Sequence, residues 1–506
     1  MNNKRIAKNA LFLYFRMLIL MGVMFYTSRV LLQQLGVDDF GVYNVVGGVV
    51  AMFSSLRAIF ASAIQRYLSY ERGIKNIDRL REIFSMGVMI HIVICILFLI
   101  VAECVGLWLL EYKLLISPDR IIAAHWVFHC SILSSIIMIM TVPYDAVIIA
   151  NERMAFFAYV SVLDGVLRLL IVFALMLSDF DKLKLYAVLV LLVSLVIRGI
   201  NVIYCKRNFE ECVHRAPFNL KLFKDMTGFA GWNFMGNLAY SLSNEGVNLL
   251  LNMFGGVAVN AARGIAYQIR TAITTVLNNI MVAINPQAIQ LYAQGKRDDF
   301  FVMLYFFSRV ISYVYIILAI PLFIHIDYVL FFWLGQIPEY VAIFTKIILV
   351  YLLIRTFHGP IDLLYKANGT LKKYQITELT ILILSLPLSY IALKMGMPLY
   401  STFIIMLALD ILNYFIILFI AQKETELIVA DYLKKVALTV LIITIVAFFG
   451  SLALSNVDRL GFHMFFTIIV EMIFISIIVF IFGFSKTEKK KIMKLVNWKY
   501  KMNHVL

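Results

Sequence analysis

The sequence predicts an all-α polytopic membrane protein of 14 transmembrane helices, and three observations carry that prediction. Hydrophobic residues make up 62% of the 506, and mean hydropathy is +0.90; soluble domains carry about 45–50% apolar residues. Apolar runs of about 20 residues, enough to cross the hydrocarbon of a bilayer, recur along the whole chain. Charged residues are only 15%, and most fall in short clusters between the apolar runs, as they do in the loops between membrane spans.

A single soluble core stops growing at about 250–300 residues, so this apolar excess has no globular explanation. The spans are expected at 11–33, 40–65, 83–109, 121–149, 155–177, 184–204, 226–252, 256–285, 301–333, 338–364, 375–395, 398–421, 434–454 and 462–484. Several are long enough to require tilt or extension beyond the bilayer.

Charge asymmetry sets the orientation. With the N-terminus in the cytoplasm, about 29 Lys and Arg fall in cytoplasmic loops and about 6 in periplasmic ones. The basic clusters include Arg72, Lys75, Arg79 and Arg81, then Lys206, Arg207, Arg215, Lys221 and Lys224. The segments at 36–39 and 336–340 are poor in cations. A missed helix would reverse the bias downstream, and it never reverses. The expectation is a bacterial inner-membrane protein with both termini cytoplasmic. The net charge of +15 does not point to nucleic acid, because the basic residues border spans and meet anionic headgroups there. The tail from Lys489 to Lys501 reads as a juxtamembrane anchor.

Other classes are disfavoured by what the sequence lacks. The five Cys include no CxxC or Cys/His metal spacing. Three of them, Cys95, Cys104 and Cys130, lie in apolar runs, while Cys205 and Cys212 lie in a basic loop. Lys4, Arg5 and Lys8 precede an apolar run too long for a signal peptide, so that run reads as the first span. There is no P-loop, HExxH or GxSxG, so no catalytic motif and no metal site is expected. His125 and His129 form an i, i+4 pair that reads as interfacial packing.

The two halves resemble each other. Pro143, Asp145 and Asn151 answer Pro360, Asp362 and Asn368, each pair 217 positions apart. Trp108 answers Trp333, and Leu35-Gly36 answers Phe254-Gly255. Six spans per half is an even number, so both halves insert alike, related by a pseudo-twofold axis along the membrane normal. The expected organisation is an N-terminal six-helix lobe over 1–215, a C-terminal one over 216–425, helices 13 and 14 over 426–485, and a basic tail over 486–506.

Polar residues inside spans mark water or a partner. Span 7 carries Asn233, Asn237, Ser241, Asn244, Asn248 and Asn252 along one helical face. We expect this stripe to line a cavity, with interhelical hydrogen bonding as the competing reading. Span 8 carries Asn260, Arg263, Tyr267, Arg270, Thr274 and Asn278; its two arginines are seven residues apart, about 10 Å along the axis. Span 2 carries Tyr43, Gly47, Ser54, Arg57 and Ala61 on one face, and span 1 carries Arg16 with Thr27. An intramembrane cation costs at least about 2.5 kcal/mol by insertion scales. Arg57, Arg263 and Arg270 are too deep to snorkel easily, whereas Arg168 follows Asp164 by four residues and is expected to pair with it. Arg29, Arg198, Arg309, Lys346 and Arg355 are further cations in spans. The span carboxylates are Glu103, Asp164, Glu245, Glu378, Asp410 and Glu471, and Glu245 is expected to pair with Arg263 or Arg270. Several guanidinium groups in one cavity suit an anion, since Arg matches phosphate bidentately.

The segment Leu35-Gly36-Val37-Asp38-Asp39-Phe40-Gly41-Val42-Tyr43 resembles the link between the first two helices of Wzx-type O-antigen and capsule flippases. Ala63-Ile64-Gln65-Arg66-Tyr67-Leu68-Ser69 is similar to that family too, with a looser echo in spans 7 and 8. These are the polysaccharide transporters of the multidrug/oligosaccharidyl-lipid/polysaccharide superfamily. The resemblance implies the 14-helix architecture and a short oligosaccharide on undecaprenyl pyrophosphate as cargo, moved from the cytoplasmic to the periplasmic leaflet. It implies that arginines of helices 1, 2 and 8 hold the pyrophosphate, here Arg16, Arg57, Arg263 and Arg270, with Asn233, Asn237, Ser241, Asn244 and Tyr267 around them. It also implies a coupling ion, sodium or a proton, at Glu245, Glu378 or Asp410, no other cofactor, and surface-glycan assembly proteins as partners.

Two transporters of the same superfamily are the rivals, a multidrug/cation antiporter and a lipid II flippase. The first would need a carboxylate-bearing cavity, and span 1 has no acid. The second shares the chemistry. A glycosyltransferase or polymerase is disfavoured by the missing carboxylate motifs.

Overall fold

The computed structural model describes the backbone of residues 3–54, 64, 67–68, 71–72, 76–151, 153–213, 217–457 and 464–490. Side chains are described in these stretches except at 3–16, 18, 51–54, 154, 225, 227–242, 282–283, 285–287, 290, 293, 371 and 456–457. Among the described residues all regular structure is helical.

The helices run α1 Asn3–Ser54, α2 Ile77–Tyr112, α3 Pro118–Ala150, α4 Met154–Met176, α5 Lys182–Asn208, α6 Leu220–Gly255 and α7 Val257–Ala293. They continue as α8 Arg297–Ile324, α9 Ile326–Leu334, α10 Val341–Asn368, α11 Leu371–Lys394, α12 Ser401–Glu424, α13 Val429–Ser455 and α14 Met464–Phe482. Ten of them are long and apolar enough to cross a membrane. Of the other four spans, the first and residues 40–54 of the second lie in α1, and the seventh and eighth lie in α6 and α7. This is an all-α multi-pass membrane protein.

Each predicted span has a helix, and the breaks between helices have local causes. Gly36 interrupts α1 at φ 77°, ψ 174°, a conformation closed to residues with a Cβ. Gly256 ends α6 at φ 75°, ψ −175°. The two turns thus share one geometry, so the structural counterpart of Gly36 is Gly256 rather than Gly255. The ninth predicted span, 301–333, is two helices: α8 stops at Ile324, four residues after Ile320 and just past Pro321, with His325 between α8 and α9.

The repeat extends to side-chain roles. Asn151 follows the last residue of α3, and its Nδ2 donates to Val147 O at 2.8 Å and to Glu211 Oε1 at 3.3 Å. Asn368 ends α10, and its Nδ2 donates to Glu424 O at 3.0 Å. In each half the asparagine that closes the fourth helix therefore bonds to the segment around the end of the sixth.

The chain divides into two compact units, 1–265 with 333–341 and 382–402, and 266–332 with 342–381 and 403–506. In the first unit, α1 presents glycines to its neighbours. A Cβ on Gly41 would stand 2.0 Å from Val257 O, and one on Gly48 would stand 2.6 Å from Asn248 Nδ2. Gly264 meets Asn44 Oδ1 the same way, at 2.5 Å. Without a driving force from water, helices in lipid associate through such close backbone approach. Gly47 has nothing within 4 Å, so the packed face of span 2 is Gly41–Asn44–Gly48. In the second unit Tyr313, Tyr365 and Tyr432 are fully buried, and Tyr313 and Tyr365 give their hydroxyls to main-chain oxygens of Gly483 and Ile417.

Candidate functional site

In the first unit the described part of the α6 stripe is a hydrogen-bonded seam. Asn260 Nδ2 donates to both O and Oδ1 of Asn248 at 2.8 Å, and Asn252 Nδ2 donates to Asn260 Oδ1 at 2.8 Å. The main-chain N–H of Leu115 donates to Asn252 Oδ1 at 2.7 Å. Asn248, Asn252 and Asn260 are buried, so these amides join helices. Each satisfies another polar group that lipid could not.

Arg263 belongs to the same seam. It is 4% exposed. Its Nη2 donates to Asn244 O at 2.6 Å, and its Nη1 lies 4.0 Å from Glu245 Oε2. Glu245 accepts from Asn244 Nδ2 at 2.9 Å and from Asn248 Nδ2 at 3.3 Å. The expected Glu245–Arg263 pairing is present, at the outer limit of an ion pair. Arg16, Asn233, Asn237 and Ser241 lie on described backbone but outside the described side chains, and Arg57 lies outside the described residues altogether.

The first unit also holds a cavity of about 220 Å³ among α1, α3, α4 and α5, lined by Met138, Thr141, Asp145, Ser161, Ser194 and Asn201 among others. Asp145 accepts from Asn201 Nδ2 at 3.1 Å. Asp164 accepts from Arg168 Nε at 2.9 Å, the pairing expected from their spacing.

In the second unit three consecutive helices meet at one guanidinium. Arg355 of α10 places Nη1 2.7 Å from Glu378 Oε1 of α11 and 3.1 Å from Asp410 Oδ1 of α12. Asp410 and His358 are 5% and 2% exposed, with His358 Nε2 3.6 Å from Asp410 Oδ2. Neither His358 nitrogen nor Asp410 Oδ2 has a hydrogen-bond partner among the described residues. Sequence reading named Glu378 and Asp410 but gave Arg355 no role and missed His358. The signal available was one cation and two acids on three successive spans, where an unpaired charge is costly.

Arg270 is placed differently from Arg355. Its guanidinium lies 4.9 Å from the ring centre of Tyr267 and 5.3 Å from that of Tyr351. It is half-buried. Stacking uses the guanidinium face and directs its in-plane N–H donors sideways.

No family model matches the chain, and no curated protein matches it by sequence. Solved structures do. The inward-facing conformation of a multidrug resistance MATE-family transporter of the MOP superfamily matches with TM-score 0.66 at 13% identity, covering 82% of this chain and 95% of its own. The lipid II flippase MurJ, in an inward closed conformation, matches with TM-score 0.65 at 14% identity, covering 94% of this chain and 99% of its own. The fold is that of the MOP-superfamily transporters. A further member of that fold, the Pyrococcus furiosus MOP-superfamily transporter described as having a binding pocket of reverse polarity, matches with TM-score 0.56 at 15% identity. The MOP fold accounts for the all-α architecture.

Proposed function

We propose that this chain is a flippase that carries oligosaccharide linked to polyprenyl pyrophosphate from the cytoplasmic to the periplasmic leaflet of a bacterial inner membrane. The observation that carries this reading is the state of the intramembrane acids. Glu103 faces His129 at 3.3 Å, Asp164 holds Arg168, Glu245 faces Arg263, Glu378 and Asp410 share Arg355, and Glu471 takes His325 Nε2 at 3.0 Å. Each of these six carboxylates already faces a basic side chain, and Asp145 in the first-unit cavity accepts from Asn201, which leaves little to attract a cationic drug. Arg270, stacked on two tyrosines, carries a guanidinium of the kind that matches phosphate oxygens bidentately.

Coverage supports the same side. The MATE transporter matches 82% of this chain, whereas the lipid II flippase matches 94%. The reading entails alternating access, with sugar and pyrophosphate in a hydrated cavity and the prenyl tail in lipid. Helices α13 and α14 offer the tail an apolar surface, since Phe449, Phe466 and Ile473 are exposed.

The test is genetic. Deleting the gene is expected to abolish the surface glycan and leave its lipid-linked precursor on the cytoplasmic leaflet. Wild type restores export, and Arg270→Ala and Arg57→Ala do not. Rescue of a strain depleted of its lipid II flippase would move the assignment to peptidoglycan precursor. Drug efflux with normal glycan would sink it.

A further inference from the structure

The family resemblance places a coupling cation at Glu245, Glu378 or Asp410, and the residues present do not fit a metal ion. In the second unit the position such an ion would take between Glu378 and Asp410 is held by the chain itself. Arg355 Nη1 stands 2.7 and 3.1 Å from the two carboxylates, and both acids are largely buried, at 17% and 5% side-chain exposure. A metal ion bound to those oxygens would lie within about 4 Å of the guanidinium. There the repulsion between like charges is strong, because little water screens it. In the first unit Glu245 is surrounded by donors, the amides of Asn244 and Asn248 and the guanidinium of Arg263. A metal needs a shell of acceptor oxygens. Among the described residues no three His, Cys, Asp or Glu side chains converge as metal ligands.

The internal repeat gives an independent comparison. At the 217-residue offset, Arg355, His358, Glu378 and Asp410 correspond to Met138, Thr141, Ser161 and Val193. At these four positions the first half has neither the arginine nor the two acids, although Asp145, Asp164 and Arg168 line the same cavity. Met138, Thr141 and Ser161 line its open cavity of about 220 Å³. At the corresponding positions, arginine and both counter-charges are present together in one half and absent together from the other. Two acids whose task was to hold a diffusible ion would not require a resident guanidinium.

We infer that Arg355 is a tethered cation occupying the acidic site of the second half, and that no metal ion binds at Glu245, Glu378 or Asp410. The guanidinium ties α10, α11 and α12 together at one point, and sodium has no part in that link. The inference stands whichever cargo the chain carries, because it concerns only what fills the acidic site.

Thermal unfolding of the purified full-length protein in detergent tests it, with sodium chloride titrated against choline chloride at constant ionic strength. The wild-type midpoint is expected to be the same in both salts. Arg355→Met vacates the site, so its midpoint is expected to fall in choline and to recover in sodium. A wild-type midpoint that rises with sodium but not choline, and stops rising in Asp410→Asn or Glu378→Gln, overturns the inference. So does an Arg355→Met protein that folds but ignores sodium. Should Arg355→Met fail to fold, the wild-type titration decides alone: a flat response supports the tethered cation, and a sodium-specific rise contradicts it.

Discussion

Arg263 donates to the main-chain oxygen of Asn244 at 2.6 Å, so one of the two arginines on α7 is committed to holding α7 against α6. Arg270, two turns further on, stacks on tyrosines instead. The two should therefore fail differently. Arg263→Ala removes a hydrogen bond from a charged group, worth about 1.5–3 kcal/mol, and should lower the unfolding midpoint and export together. Arg270→Ala should leave the midpoint near wild type and abolish export. Parallel measurements of thermal unfolding and surface glycan separate the two. Equal stability loss in both variants would contradict the division of roles.

Breaking the Arg355 junction should be costly in a way that partner removal repairs. Arg355→Met leaves two carboxylates without their cation. Breaking a buried pair costs about 3 kcal/mol or more; the low end applies because 27% of the Arg355 side chain is exposed. Adding Glu378→Gln and Asp410→Asn removes the stranded charges. The triple variant is expected to unfold later than Arg355→Met alone, and chemical denaturation of wild type and the two variants would show it.

Two glycines of α1 should respond in opposite ways to the same methyl group. At Gly41 the added Cβ meets Val257 O at 2.0 Å, whereas at Gly47 nothing lies within 4 Å. Gly41→Ala should cost about 1–3 kcal/mol, the range for overpacking. Gly47→Ala should be neutral or stabilise by up to about 1 kcal/mol through helix propensity. Unfolding midpoints measured side by side check the contrast.

A pH test falls outside the spans, where Arg120 joins Asp39 and Asp181. Burial would raise Asp181, but the Lys184 N–H and Arg120 outweigh it and hold its carboxyl below the usual range. Burial raises Asp39 despite the same arginine. Asp181 therefore contributes stability above the ordinary carboxylate pKa of about 3.9, lost as pH falls through its lowered value. Asp39 contributes with the opposite sign: its ionised form is the disfavoured one in the folded state. Asp181→Asn should be the more destabilising substitution at pH 7, and the gap to Asp39→Asn should narrow toward pH 3. An unchanged gap would contradict the assignment.

Much of the fold was legible because desolvation dominates it. Twenty-residue apolar runs and Lys/Arg asymmetry need no knowledge of packing, and Asp164–Arg168 is a contact within one helix, set by a spacing of four. Contacts between helices were not legible. That Arg263 would find the carbonyl of Asn244, or Arg355 the acids of α11 and α12, depends on crossing angles and depth that periodicity does not encode. The Asn stripe on α6 showed its common face. Its partners in the described part, among them Asn260, Arg263 and Leu115, come from elsewhere in the chain. The difference between Gly255 and Gly256 turns on a single φ angle.

Translocation in proteoliposomes tests the central claim most directly. The purified chain would be reconstituted with a polyprenyl-pyrophosphate oligosaccharide, and the sugar reaching the opposite leaflet would be scored by its access to a membrane-impermeant hydrolase. Wild type is expected to expose the lipid-linked sugar far faster than protein-free vesicles, and Arg270→Ala to match the protein-free rate. Equal rates with and without the wild-type protein, or an Arg270→Ala protein as fast as wild type, would contradict the account.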